Sequence, residues 1–165
     1  MPEAATIAKA RRDKRQGKAP STQAGEFVRE EIHHVREGKH GARSAKQAIA
    51  IGLSKARRSG VELPPPGKGK ASSKTRKSAE RDYERGHGAP PRAKSSAKRS
   101  RASMKALKRE PHSAASHQAL SRQGHSAASK RSASDRSASA KRAARTKGPG
   151  ERSAAARKAA RTRAR

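Results

Sequence analysis

Cysteine and tryptophan are missing from this 165-residue chain, and the other large aromatics occur once each, as Phe27 and Tyr83. Without thiols there are no disulfides, no thiolate metal sites and no cysteine nucleophile. With two aromatics there is little for unpaired bases to stack on, which argues against single strands and sequence-specific RNA as targets. Acidic residues are scarce, thirteen Asp and Glu against forty-three Lys and Arg, for a formal charge of +30. No apolar run approaches the length that spans a bilayer, and the opening MPEAATIAKARR has no signal-peptide core. The basic segments also lack the Trp, Phe and Leu that seat an amphipathic helix in lipid. The reading therefore expects no membrane association and a cytoplasmic protein.

What is present is mostly alanine, serine and positive charge. The hydrophobic fraction of 30% is largely alanine, which buries little area. Low hydrophobicity with high net charge does not offset the entropy of ordering a chain. The expected fold class is accordingly mostly disordered, with a small all-α N-terminal module (a two- or three-helix hairpin) and a tail of short transient helices. The charge is uneven: residues 1–63 hold fourteen Lys/Arg and seven acids, residues 64–165 twenty-nine and six.

One stretch, Ser44–Gly60 (SAKQAIAIGLSKARRSG), carries the signals of a folded helix. Ser44 and Gln47 have the spacing of a capping box. Lys55, Arg57 and Arg58 set positive charge on the last-turn carbonyls, and Gly60 and Pro64 supply the stop. Ala45, Ala48, Ile49, Gly52, Leu53 and Ala56 share one face. Ile51 does not; it projects among Gln47, Lys55 and Arg58, which marks it as a contact for a second chain. A preceding helix, 26–37, aligns Val28, Ile32 and Val35 with Phe27 on the flank, and sets Glu26, Glu30 and Glu37 on the opposite, solvated side. GKHGAR (38–43) is short enough to join the two as an antiparallel pair. A weaker first helix spans 3–16, followed by a linker from Lys18 to Gln23. So few large apolar side chains leave the hairpin marginal by itself, which favours a homodimer through residues 25–60.

LPPPGKGK closes the module, so 1–63 is read as helical, 64–70 as a Pro/Gly hinge and 71–165 as a disordered polycationic tail. The tail repeats Arg or His followed by Ser-Ala, at 112, 125, 131, 136 and 152, echoing Arg43-Ser44-Ala45. Serine ahead of an Ala/Lys/Arg run is a helix-start signal, but like-charge repulsion and costly nucleation argue for helices mostly unformed in water. Met104–Glu110 and Ser113–Gln123 are the segments expected to be helical first.

The segment GEFVREEIHHVREGKHGARSAKQAIAIGLSKARRSGVELPPP resembles a family of small, basic bacterial proteins with a conserved domain of unassigned function, over about Ala19–Pro66. The remainder is similar in composition to the Ala/Lys-rich tails of bacterial linker-histone-like proteins. These resemblances imply a bacterial, nucleoid-associated setting; they bring no catalytic residue.

The remaining polar residues offer few arrangements suited to chemistry. His33, His34 and His40 stand beside Glu30, Glu31 and Glu37; Glu30/His33 and Glu31/His34 have the i, i+3 spacing of helical-bundle metal sites, but the facing helix 44–60 has no acid or histidine to complete one, so no metal is expected. Asp13, Asp82 and Asp135 lie in polar stretches that cannot orient a catalytic triad, and GKGK and GPG lack P-loop spacing. The chain is not expected to be an enzyme or to carry a cofactor.

The charge itself points to a polyanion. Twenty-nine basic residues beyond residue 63 suit phosphate neutralisation, which needs many cations and no fixed geometry. No zinc-finger spacing or recognition helix appears, so the expected function is sequence-independent binding of duplex DNA, with compaction of a bacterial nucleoid. The expected contacts in the module are Arg43, Lys46, Lys55, Arg57 and Arg58. Those of the tail are Lys98, Arg99, Arg101, Lys105, Lys108 and Arg109; Lys130, Arg131, Lys141, Arg142, Arg145 and Lys147; and Arg157, Lys158, Arg161, Arg163 and Arg165. The alternatives are an RNA- or ribosome-associated protein, or a protein-interaction adaptor localised by its tail.

Overall fold

The Ser44–Gly60 segment forms helix α3 (Ala45–Arg58) in the computed structural model, which describes residues 2–90, 96–146 and 148–164. The Ser44 hydroxyl accepts the Gln47 N–H at 3.3 Å. Gln47 Oε1 in turn takes the backbone N–H of Arg43 at 3.0 Å, one residue before the amide a capping box would use. The helix before it, α2 (Pro20–Arg36), starts inside the expected linker, because Pro20 suits the first helical turn, where no N–H is needed. Helix α1 (Ala4–Arg15) lies against α2.

Two small apolar clusters hold these helices. Phe27, Ala24, Ala10, Ala56 and Val61 form one, with Ile7, Leu53 and Leu63 packed on it. Val35, Ala42, Ala48, Ala114 and Ala115 form the other, with Ile32 at its edge. Phe27 and Val35 are fully buried. The small residues let the α2 and α3 backbones approach closely, and Gly52 sits at the crossing.

The expectation of a mostly disordered chain is overturned. The structure is 74% helical, with eight α-helices and one 3-10 helix among the described residues. Beyond the proline segment come α4 (Ser73–Gly86), α5 (Ala97–Arg109), a 3-10 turn (His112–Ala115), α6 (His117–Ser129), α7 (Ala133–Thr146) and α8 (Pro149–Arg163). The physical reason is local. Ser72, Ser96, Ser116 and Ser132 each accept a backbone N–H three residues on, at 3.1–3.3 Å, and the Ala, Lys and Arg that follow are strong helix formers. An average over composition counts the charge and misses the caps. The transient tail helices are thus regular helices, and "intrinsically disordered" does not describe this chain.

The chain divides into two compact units, Met1–Ser121 and Arg122–Arg165. In the first, α4 packs on α3, and the 3-10 turn packs on α2 and α3. Ser54 donates to Asp82 at 2.6 Å between α3 and α4. Residues 107–116 close over the loop after α2: the Gly41 N–H bonds the Leu107 carbonyl at 2.9 Å, the Ala42 N–H the Pro111 carbonyl at 3.1 Å, and Arg36 Nε the Ala115 carbonyl at 2.8 Å. A Cβ on Gly41 would stand 1.7 Å from the Glu110 carbonyl oxygen, so only glycine fits there. The second unit holds the rest of α6 with α7 and α8; every α8 side chain described is exposed. No described helix is long and apolar enough to cross a membrane.

Candidate nucleic-acid interface and a buried charge cluster

The basic residues fall into two physical groups. Those of α3 are largely engaged with the protein itself. Lys55 Nζ lies 2.7 Å from Glu31 Oε2 and 3.2 Å from Glu30 Oε1. Arg57, only 8% exposed, donates to the carbonyls of Leu63 and Pro64 at 3.1 and 3.3 Å, holding the proline segment against α3. Burial lowers its pKa, and Asp82 opposes the change. Both cations of the expected DNA-contacting set are thus engaged within the protein. Arg58 is 3.7 Å from Asp82, and Arg43 is 3.6 Å from Glu110; both remain exposed, as does Lys46.

The second group faces water. On α5, Lys98, Arg101, Lys105, Lys108 and Arg109 recur three and four residues apart, so they share an arc of about 100°. All five are exposed, with Arg99 beside them. The half-buried Leu107 lies on the other side. Ser96 caps this helix through the Arg99 N–H. In the second unit Lys130, Arg131, Lys141, Arg142, Arg145, Arg157, Lys158, Arg161 and Arg163 are exposed too. Arg131 also bonds the Asp135 carbonyl at 2.8 Å. Lys147 and Arg165 lie outside the described residues.

The acidic side of α2 is only partly the solvated face that its spacing suggests: Glu37 is exposed and Glu26 half-buried. Glu30 is 6% exposed and Glu31 0%. Burial pushes the Glu30 carboxyl up, but hydrogen bonds from the Thr6 hydroxyl, the Glu3 N–H and the Lys55 ammonium outweigh it and hold the group below its ordinary value. Glu31 meets His40 Nε2 at 3.1 Å through Oε1 and Lys55 Nζ at 2.7 Å through Oε2, yet neither approach has hydrogen-bond direction. His34 Nε2 is 2.9 Å from Glu3 Oε1, and its Nδ1 is 4.0 Å from Glu30 Oε1. His33, by contrast, is exposed. A polar cleft of about 270 Å³ opens onto Glu3, Glu30, His34 and Lys39. Helix spacing alone did not reveal this cluster, because His40 comes from the loop and Lys55 from the next helix.

Residues 21–68 match a family of unknown function, DUF6496. This segment holds all of α2 but its first residue, α3 and the loop between them, and fits the expected conserved domain of unassigned function. No curated protein and no solved structure matches the chain.

Proposed function

We infer that the protein binds duplex DNA through its phosphates without reading base sequence, as a nucleoid-associated protein that helps compact DNA. The observation that carries this is the cationic face of α5: five exposed Lys and Arg on one arc of one helix, with no acidic partner described for any of them. Side chains three and four apart on a helix follow one line along its axis, so one stretch of phosphate backbone can meet several of them at once. The exposed cations of α7 and α8 add to the same non-specific attraction. Phe27 is buried, Tyr83 is the one other large aromatic and no base-reading element stands among the described residues, which favours duplex backbone over unpaired RNA. This reading does not need a homodimer through residues 25–60, since α1, α4 and the 3-10 turn cover the α2–α3 pair within one chain.

The test is fluorescence anisotropy on duplexes of two unrelated sequences, and on a structured RNA, across a salt series. Duplex affinity should be the same for both sequences and should fall linearly with log salt, by about 0.9 per phosphate neutralised. Replacing Lys98, Arg101, Lys105, Lys108 and Arg109 with Gln should shallow that slope by roughly 4 to 5. An unchanged slope, or tighter binding to the RNA than to either duplex, rejects the assignment.

A further inference from the structure

We propose that Glu31, His34 and His40 form a binding site for a divalent transition-metal ion of the Zn²⁺ class, with His34 at the border of the polar cleft on α2. The ligand atoms these residues offer lie within 4.8 Å of one another. Around Zn²⁺, with bonds of about 2.0–2.2 Å, tetrahedral ligands stand roughly 3.3–3.6 Å apart. The set therefore needs only a small closing movement of its side chains.

The protonation pattern supplies the argument. His40 Nδ1 is 3.0 Å from the Gly41 carbonyl. A carbonyl only accepts, so that nitrogen carries the ring proton, and Nε2 is left as a lone pair facing Glu31 Oε1 at 3.1 Å. Two acceptors held that close require a positive species between them. A second proton could satisfy this one pair, but it does not account for a third ligand. His34 turns Nε2 to the Glu3 carboxylate at 2.9 Å, which leaves Nδ1 to coordinate. Each imidazole thus has its remote nitrogen held by an oxygen, the outer-shell pattern that fixes a metal-binding tautomer. Glu31 completes it: it is fully buried, has no hydrogen-bond partner on either oxygen, and only Oε2 is occupied by Lys55.

Charge favours a cation as well. Glu3, Glu30 and Glu31 outnumber Lys39 and Lys55 around the site, and the other charges lining the cleft, Lys9 and Arg29 against Glu26 and Glu37, cancel. The two-nitrogen, one-oxygen donor set suits Zn²⁺ and leaves a fourth position for water or for Glu30. Bound there, the ion would fasten the 38–43 loop to α2.

The full chain, stripped with chelator, would be titrated with Zn²⁺ against a chromogenic competitor, and with Co²⁺ followed by visible absorption. One equivalent should bind, with the d–d spectrum of four-coordinate Co²⁺, and His40→Ala and His34→Ala should each weaken binding by more than about tenfold. His33→Ala, an exposed neighbour, should bind as the parent does. The parent chain, which needs no substitution, gives an independent reading by NMR. One equivalent of Zn²⁺ should shift the ring signals of His34 and His40 and leave those of His117 and His125 in place. Absence of stoichiometric binding, equal binding by folded His40→Ala, or shifts spread over all the histidines would overturn the site.

Discussion

Gly52 of α3 lies directly on Val28 of α2: a Cβ placed on the glycine would come 2.7 Å from Val28 Cα and 3.0 Å from the Phe27 carbonyl oxygen. Both are backbone atoms, which cannot swing away as a side-chain tip can. In an open helix, Gly→Ala gains about 1 kcal/mol. Here Gly52→Ala should instead lose about 1–3 kcal/mol, and Gly52→Val more, because the helices must part. Thermal melts followed by circular dichroism would show the reversed sign.

Lys55 and Lys105 are both lysines on helices in a basic chain, yet they should respond oppositely to the same change. Lys55→Gln leaves the Glu31 carboxylate buried without its ammonium and should cost about 3–5 kcal/mol of stability. Lys105→Gln alters only an exposed face; it should leave the melt unchanged and shallow the salt slope of DNA binding by about 0.9. Urea titrations and anisotropy on the two variants separate the roles.

Acid should weaken the first unit through its held carboxylates. Glu30 sits below its ordinary pKa of 4.5, and Glu3 and Glu62 are lowered too, chiefly by His34 and by Lys14 respectively. A carboxylate with a lowered folded-state pKa stabilises the fold above its unfolded value, and that contribution is lost as pH falls through the folded value. In the presence of chelator, the gap in melting temperature between parent and Glu30→Gln should therefore be constant above about pH 4.5 and close below it. A gap that widens on acidification would contradict the network around Glu30.

The Arg-Ser-Ala repeat has two meanings that a pair of substitutions would expose. Ser132 accepts the Asp135 N–H at 3.1 Å and begins α7, whereas Ser137, in the same tripeptide five residues on, lies inside that helix. Ser132→Ala should lower helix content, at a cost of about 0.5–2 kcal/mol to α7. Ser137→Ala should preserve or raise it. The free parent should already be mainly helical by far-ultraviolet circular dichroism, with no DNA added.

Much of α3 was legible because its signals are local. Ser44 and Gln47 are three residues apart, and the backbone reverses at Gly60 with φ of +82°. The buried charge cluster was not, since Glu31 finds Lys55 on another helix and His40 in a loop, and nothing in either neighbourhood announces the pairing. Glu30 reads as solvated for the same reason: acids on a helix are usually wet, and only the tertiary fold removes the water. The helices beyond the prolines were underestimated for a different reason. Repulsion between like charges is a property of the whole tail, whereas capping acts at single serines.

The Gly41 closure carries a consequence for how this kind of sequence is to be delimited. The stretch that matches a family ends at residue 68, but its apolar faces are covered by Ala10, Ala114 and Ala115, and its loop is bonded to Leu107 and Pro111. The recognisable text is thus shorter than the object it helps to build, with missing pieces on both sides of it. A relative that shares only that text must find another cover for Val35 and Ala48, from its own chain or from a neighbour, and its cover need not resemble this one in sequence.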